Sequence, residues 1–180
     1  MGEKQYGIDP KRLKEYATTA YQRTFKPMNL YFRMMRILLK CWFNKITQDA
    51  FKPTEVDFRV WPLDMDINIH MNNARYLSMM DLGRIHHMGK AGMLKQVFKN
   101  KWMPVVAKID IRYIRPIGPF QKYTLKTEIT NFDEKYFHMK QTFICKGHEV
   151  AVAHLKGLFL DKHGKKMTSE EILSYLPKTK

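Results

Sequence analysis

The residues able to do chemistry gather in one stretch. From Val60 to Met88 the chain reads VWPLDMDINIHMNNARYLSMMDLGRIHHM, and its first half sets Asp64, Asp66, Asn68, His70, Asn72 and Asn73 at alternating or adjacent positions. A helical pattern follows at once, so these polar groups are delivered to a helix N-terminus. The first N–H groups of a helix have no intrahelical acceptor, and an Asn side chain just before them can cap them; Asn72 is the predicted N-cap. A carboxylate beside such a terminus has two uses. It can sit there as a charge favoured by the helix dipole, worth about 0.3–1 kcal/mol. It can also attack a carbonyl or activate water while the bare N–H groups hold the developing oxyanion. Both uses fit the spacing. Calcium does not: Asp64-x-Asp66-x-Asn68 opens like an EF-hand loop, but Ile69 stands where the sharp turn needs Gly and Arg75 where the bidentate Glu belongs.

Two elements must position this loop. Before it, Val56, Phe58 and Val60 alternate with Glu55, Asp57 and Arg59, the period of a half-buried strand. After it, Tyr76, Leu77, Met79, Met80, Leu82, Ile85 and Met88 cover nearly the whole circumference of a helix, which is therefore buried on most sides. Asp81 and Arg84 are spaced to meet as an i,i+3 pair, and burial would require that pairing. Gly89 and Gly92 are expected to stop the helix. His86 and His87 are adjacent, point apart, and so make no metal site.

The remaining chain supplies the support. Residues 1–27 read as a polar, partly helical extension. Met28 to Phe43 form a basic amphipathic helix with Arg33, Arg36 and Lys40, too short and too charged to span a bilayer. It would either lie at a membrane interface or pack on the protein itself. Residues 1–53 form an extension and 54–180 the folded domain. A short helix over Met93–Trp102 should turn Leu94, Val97 and Phe98 inward. Strands are predicted where Val105, Ala107, Ile109, Ile111 and Tyr113 alternate with charges, and over Tyr123–Ile129, Tyr136–Cys145 and Val150–Leu160. Thr168 and Glu171 make a capping box for a last helix. One early helix followed by hairpin-linked strands specifies an α+β domain, an antiparallel sheet wrapped around a central buried helix.

Composition narrows the partners. The chain has 180 residues, enough for one core and too few for two. Its formal charge of +15 suits nucleic acid, anionic lipid or a phosphorylated ligand; no helix-turn-helix, RNP or zinc pattern supports nucleic acid. Residues 1–53 hold eleven Lys and Arg against four Asp and Glu, a surplus of seven that is nearly half the total. Two distant cysteines, Cys41 and Cys145, make neither a disulfide framework nor a zinc site. With no apolar signal core at the start, the expectation is a cytoplasmic location, extended to a membrane surface if residues 28–43 dock there.

The run Asp64-Met-Asp66-Ile-Asn68-Ile-His70-Met-Asn72-Asn73-Ala-Arg-Tyr76-Leu77 resembles the signature of hot-dog-fold thioesterases of the 4-hydroxybenzoyl-CoA type. It is also similar to the D-x-N-x-H-x-N-N motif of plant acyl-carrier-protein thioesterases. The likeness extends from about Met28 to the C-terminal helix, and MNLYFR and WMPVV resemble stretches of further thioesterase-like proteins that carry the same motif. It implies hydrolysis of an acyl thioester carried on coenzyme A or on acyl carrier protein, with no metal and no cofactor besides the thioester substrate. By resemblance Asp66 is the catalytic carboxylate, as nucleophile or as base, and the N–H of Asn73 is the oxyanion donor. Asn68 and His70 match further polar residues of the plant enzymes; His70 could equally serve only to hydrogen-bond the backbone. Asp64 reads as a structural acid. Tyr76, Met80, Trp102 and Met103 are the candidates to line an acyl site shared between protomers of a homodimer or homotetramer. A non-catalytic acyl-binding or membrane-associated hot-dog protein is the alternative.

Overall fold

A computed structural model describes residues 28–43 and 49–176 of the chain. Its elements run α1 (Met28–Phe43), β1 (Thr54–Arg59), a 3-10 turn (Pro62–Asp64), α2 (Asn73–Lys90), α3 (Met93–Asn100), β2 (Met103–Tyr113), β3 (Lys122–Phe132), β4 (Phe137–Cys145), β5 (His148–Leu160) and α4 (Ser169–Ser174). The helical reading of residues 1–27 lies outside the described residues. All strands belong to one antiparallel sheet in the order β1-β3-β4-β5-β2. α2 lies on one face of it, so the α+β hot-dog arrangement is borne out.

Alternation builds the sheet. β1 turns Thr54, Val56 and Phe58 inward and Glu55 and Asp57 outward, and Val60 beyond it is fully buried. β2 departs from simple alternation. A one-residue bulge at Ala107 shifts its register on β5, so Val106 joins Ile109 and Ile111 against the core while Ala107 is exposed. The strand fits, but its phase could not be extended through the bulge.

α2 is buried through Tyr76, Met79, Met80, Leu82, Gly83, His86 and His87, with Ile85 and Met88 partly buried, but Leu77, expected inside, is 42% exposed, so one side of the helix start faces outward. Gly83 explains how closely it lies on the sheet. A Cβ there would stand 2.7 Å from Leu125 Cδ2 and 2.9 Å from both Gln141 Nε2 and Thr127 Oγ1. Gln141 is fully buried and its amide donates to the Met80 carbonyl at 3.0 Å and to Thr127 Oγ1 at 3.0 Å, while its oxygen accepts from Arg84 at 3.0 Å. Every polar atom of that buried amide is thus engaged, as burial demands.

Two local expectations are corrected. Gly89 does not stop α2, which runs on to Lys90; it is small because Cys41 of α1 packs on it. Gly92 does break the chain, with φ 73° in the left-handed region. In α3, Met93 and Val97 are buried but Phe98 is 69% exposed, turned away from the core. α1 packs against α2 with Ile37 buried, so this helix docks on the protein itself through one face. The capping box of α4 forms as expected, with Glu171 N–H on Thr168 Oγ1 and the Thr168 N–H on the Glu171 carboxylate.

The adjacent histidines are core groups in two states of satisfaction. His87 has Thr54 Oγ1 at 3.1 Å from Nδ1 and the Ala50 carbonyl at 2.9 Å from Nε2, so Nε2–H donates and Nδ1 accepts. His86 Nδ1 is buried with no hydrogen-bond partner among the described residues. Burial pushes the His86 imidazole down to about 4, helped by the charges of Lys90 and Lys40.

Two outcomes follow for stability. An exposed helical Gly→Ala change would gain about 1 kcal/mol, but Gly83→Ala drives a methyl into Leu125 and the Gln141 amide; overpacking of this kind costs about 1–3 kcal/mol, a lower urea midpoint in chemical denaturation. For His86, the unfolded chain takes up a proton below about 6.5 while the native chain resists until about 4, so stability falls as the pH drops through that window and is flat above it. Urea midpoints measured across that range should show a loss on the order of 2 kcal/mol, and His86→Leu should remove this contribution to the slope.

Candidate active site

The loop between β1 and α2 is tied down by Asp64. This carboxylate is 1% exposed and receives the Arg33 guanidinium on both oxygens at 2.6 and 3.1 Å, the Trp61 N–H at 2.9 Å, and Arg75 Nε at a looser 3.8 Å. Its own carbonyl accepts the Asn72 N–H at 2.8 Å. Asp64 therefore clamps both ends of the loop and joins α1 to α2, which makes it the structural acid expected.

Beyond Asp64 the chain makes a narrow turn. Met65 and Met71 form an isolated antiparallel bridge, the Asp66 N–H donates to the His70 carbonyl at 3.0 Å, and the Ile69 N–H returns to the Asp66 carbonyl at 3.1 Å. Asp66 is half-buried, and one carboxylate oxygen accepts the Asn68 N–H at 2.9 Å, an Asx turn. It is the backbone of Asn68, not its side-chain amide, that contacts Asp66. The side chains of Asn68 and His70 are exposed and make no hydrogen bond among the described residues.

Where the loop enters α2, Asn72 is the N-cap, its side-chain oxygen accepting the Ala74 N–H at 2.8 Å. Arg75 N–H reaches the Asn72 carbonyl at 2.8 Å. That leaves the N–H of Asn73, first residue of the helix, with no acceptor among the described residues, and its side chain is exposed. The Asn73 carbonyl is held by the Tyr113 hydroxyl at 3.3 Å. Tyr113 in turn packs edge-on against Tyr76 at 5.0 Å, fixing β2 to the start of α2.

An apolar cavity of about 240 Å³ lies farther along α2, among Ile85, Met88, Val105, Ile129, Phe137 and Met139. Asp81 and Arg84 also line it; they form the expected i,i+3 ion pair, and Asp81, 68% exposed, marks the open side. Asp81 lies eight residues beyond Asn73, or about 12 Å along the helix axis. The cavity wall differs from the residues expected to line an acyl site. Tyr76 and Met80 are buried in the core, Tyr76 against Phe143, its hydroxyl pushed up to about 12 by burial and by Tyr113. Trp102 packs between Phe159 and Tyr175, and Met103 is 49% exposed at the start of β2. None of these four lines the cavity. The residues around this cavity are visible in the sequence only as core periodicity, and nothing local marks which core residues stand apart. Arg33 and Tyr113 were likewise read as a basic helix face and a strand residue, since their partners lie 31 and 40 positions away.

Comparisons with known proteins bear on the family and the fold. Residues 60–174 match the Thioesterase-like superfamily. The zebrafish Danio rerio protein THEM6 is 34% identical over 116 residues, 64% of this chain and 57% of that protein. The probable thioesterase YBR096W of Saccharomyces cerevisiae is 27% identical over 147 residues, 81% of this chain and 62% of its own length. The chain thus spans little more than half the length of these curated relatives. In fold it is similar to the Escherichia coli probable thioesterase YbaW, with a TM-score of 0.62 over 66% of this chain and 95% of that one at 24% identity. With the loop, the capped helix and four of the five strands, β2 to β5, inside the matched segment, the chain belongs to the thioesterase-like superfamily.

Proposed function

We propose that the protein hydrolyses an acyl thioester, of coenzyme A or of acyl carrier protein, to free acid and thiol. The observation that carries this reading is the Asn73 N–H, left without an acceptor among the described residues at the start of a buried helix, one narrow turn from the half-buried Asp66 carboxylate. A thioester oxygen would accept that N–H. As the carbonyl becomes tetrahedral its oxygen gains negative charge, which the N–H and the helix dipole stabilise; one such donor is typically worth about 2.7–4 kcal/mol in the transition state. Asp66 would either add to the carbonyl, giving a mixed anhydride that water cleaves, or take a proton from the attacking water. The Asn68 N–H holds one of its oxygens and leaves the other for the reaction. The thiolate leaves as a stable anion, so no strong acid is required opposite it.

The acyl tail fits the apolar cavity beside α2, whose walls are almost wholly aliphatic, thioether and aromatic. Methionines at 88, 93 and 139 give that wall adaptable shape. The site is one-sided in a single chain. Ile67 is 96% exposed and Ile69 61%, and β2 is an eleven-residue edge strand with no partner on its outer side among the described residues. Such an edge calls for covering, and a second copy pairing through β2 would cover it and wall in the site, giving a homodimer.

A non-catalytic acyl binder would use the same cavity and differ in turnover alone. A thiol-release assay across acyl-CoA chain lengths and aryl thioesters separates the two. Wild type should release thiol, and Asp66→Asn should keep its melting temperature while kcat falls by about a hundredfold or more. Retained turnover in Asp66→Asn removes Asp66 from the chemistry; tail binding by wild type without any release favours the binder. Light scattering should give twice the chain mass of 21.5 kDa; a monomer would remove the shared site.

A further inference from the structure

α1 carries two unlike faces. Ile37, with Leu30, Met34 and Cys41 beside it, faces the protein. Phe32, Met35 and Leu39, spaced i, i+3 and i+7, form an outward stripe at 71, 56 and 48% exposure. Three large apolar groups on one helical stripe are not the single scattered hydrophobics of an ordinary surface. The patch continues off the helix. Phe32 shares an open cleft with Trp61, which packs edge-on against Phe120 at 6.1 Å, and both of these rings are about half exposed.

Cations surround these apolar tips. Arg36, Arg59, Lys122 and Lys146 line the same cleft. None of the four meets a carboxylate in an ion pair among the described residues. Arg36 and Arg59 donate to the backbone carbonyls of Asp57 and Phe120, which fixes their position without neutralising them. Asp57, the one acid among the described residues that line the cleft, accepts the Thr124 hydroxyl at 2.7 Å.

We propose that this face, the outer side of α1 together with the cleft beside β1 and β3, docks on the surface of an anionic phospholipid bilayer. Aromatic and aliphatic tips enter the boundary between headgroups and acyl chains, and the ring of cations meets lipid phosphates and carboxylates. The 16-residue helix lies in the plane of the surface, and no described helix is long and apolar enough to cross it. Two competing occupants fit less well. A second copy would set basic face against basic face in a chain of net charge +15. A nucleic acid would satisfy the cations and leave Met35 and Leu39 in water. Docking here also leaves β2 free, because β1 and β2 are opposite edges of the five-stranded sheet.

Vesicle sedimentation with the full chain tests this without any thioester turnover, so the outcome is independent of the proposed chemistry. Wild type should pellet with phosphatidylcholine vesicles containing about 30% phosphatidylserine, remain in solution with phosphatidylcholine alone, and be released by about 1 M salt. The triple variant R36E/K122E/K146E should bind at least about a hundredfold more weakly, each lost cation being worth about fivefold. The stripe variant F32S/M35S/L39S should lose most pelleting although its cations remain. Melting temperatures within a few degrees of wild type would show both variants folded, and single substitutions at the same exposed positions serve if either is not. Equal binding to neutral vesicles, unchanged binding in the triple variant, or a fall in oligomeric mass in the stripe variant with no effect on pelleting overturns the proposal. So does tight binding of a single-stranded oligonucleotide by protein that ignores the vesicles.

Discussion

The buried ion pair between Arg33 and Asp64 is the interaction on which the rest depends. A carboxylate at 1% exposure carries a desolvation cost of several kcal/mol unless charge and hydrogen bonds replace the water it has lost. Here the guanidinium meets both oxygens and the Trp61 N–H adds a third donor. The same guanidinium also donates to the Arg59 carbonyl at 2.9 Å. One pair therefore holds α1, the end of β1 and the turn before α2 in a single arrangement, and leaves each of them incomplete without the others. Two residues on, Asp66 is the same side-chain type in a different setting, half-buried and held by one backbone N–H. The structural acid anchors the loop so that the second acid can stay accessible.

The turn between those anchors stores strain. Ile69 has φ 60°, a left-handed conformation that a β-branched residue resists. The Met65–Met71 bridge, the Asp66–His70 hydrogen bond and the Asn72 N–H on the Asp64 carbonyl over-determine the backbone there and hold it. The result is a loop that presents two isoleucines to solvent while one oxygen of its half-buried carboxylate accepts the Asn68 N–H. Such a shape is costly in isolation and sensible where a partner surface receives the tip, as the proposed dimer would.

Most of the frame was legible because it rests on local rules. The Asn72 cap, the Thr168 box, the strands and the burial of α2 each follow from a few neighbouring residues and a period of two or 3.6. What escaped depends on contacts between distant elements. Arg33 looks like any basic residue of an amphipathic helix until Asp64 is placed beneath it. Gly89 looks like a helix stop until Cys41 packs on it. Phe98 follows an inward period, yet α3 is short and its far side faces no layer. The bulge at Ala107 has no signal in a run that alternates on either side of it. At the candidate site the order of Asp66, Asn68, His70, Asn72 and Asn73 was readable as a motif, but which groups were engaged and which left bare was not. The cavity was least visible of all, since a space has no sequence.

The two edges of the sheet are treated differently, and α1 is the reason. The outer edge of β1 presents carbonyls at alternate residues, and α1 answers them: Arg36 donates to the Asp57 carbonyl at 3.2 Å and Arg33 to that of Arg59. Side-chain guanidinium groups thus replace a neighbouring strand and close the shorter edge, six residues against eleven, to further pairing. The longer edge at β2 has no such cover among the described residues and is joined through Tyr113 to the first residue of α2. Closing one edge and leaving open the one beside the helix start restricts sheet extension to a single direction, so an isologous pair through β2 would stop at two copies rather than propagate. The helix that blunts one edge in this way has its opposite face left over for another surface.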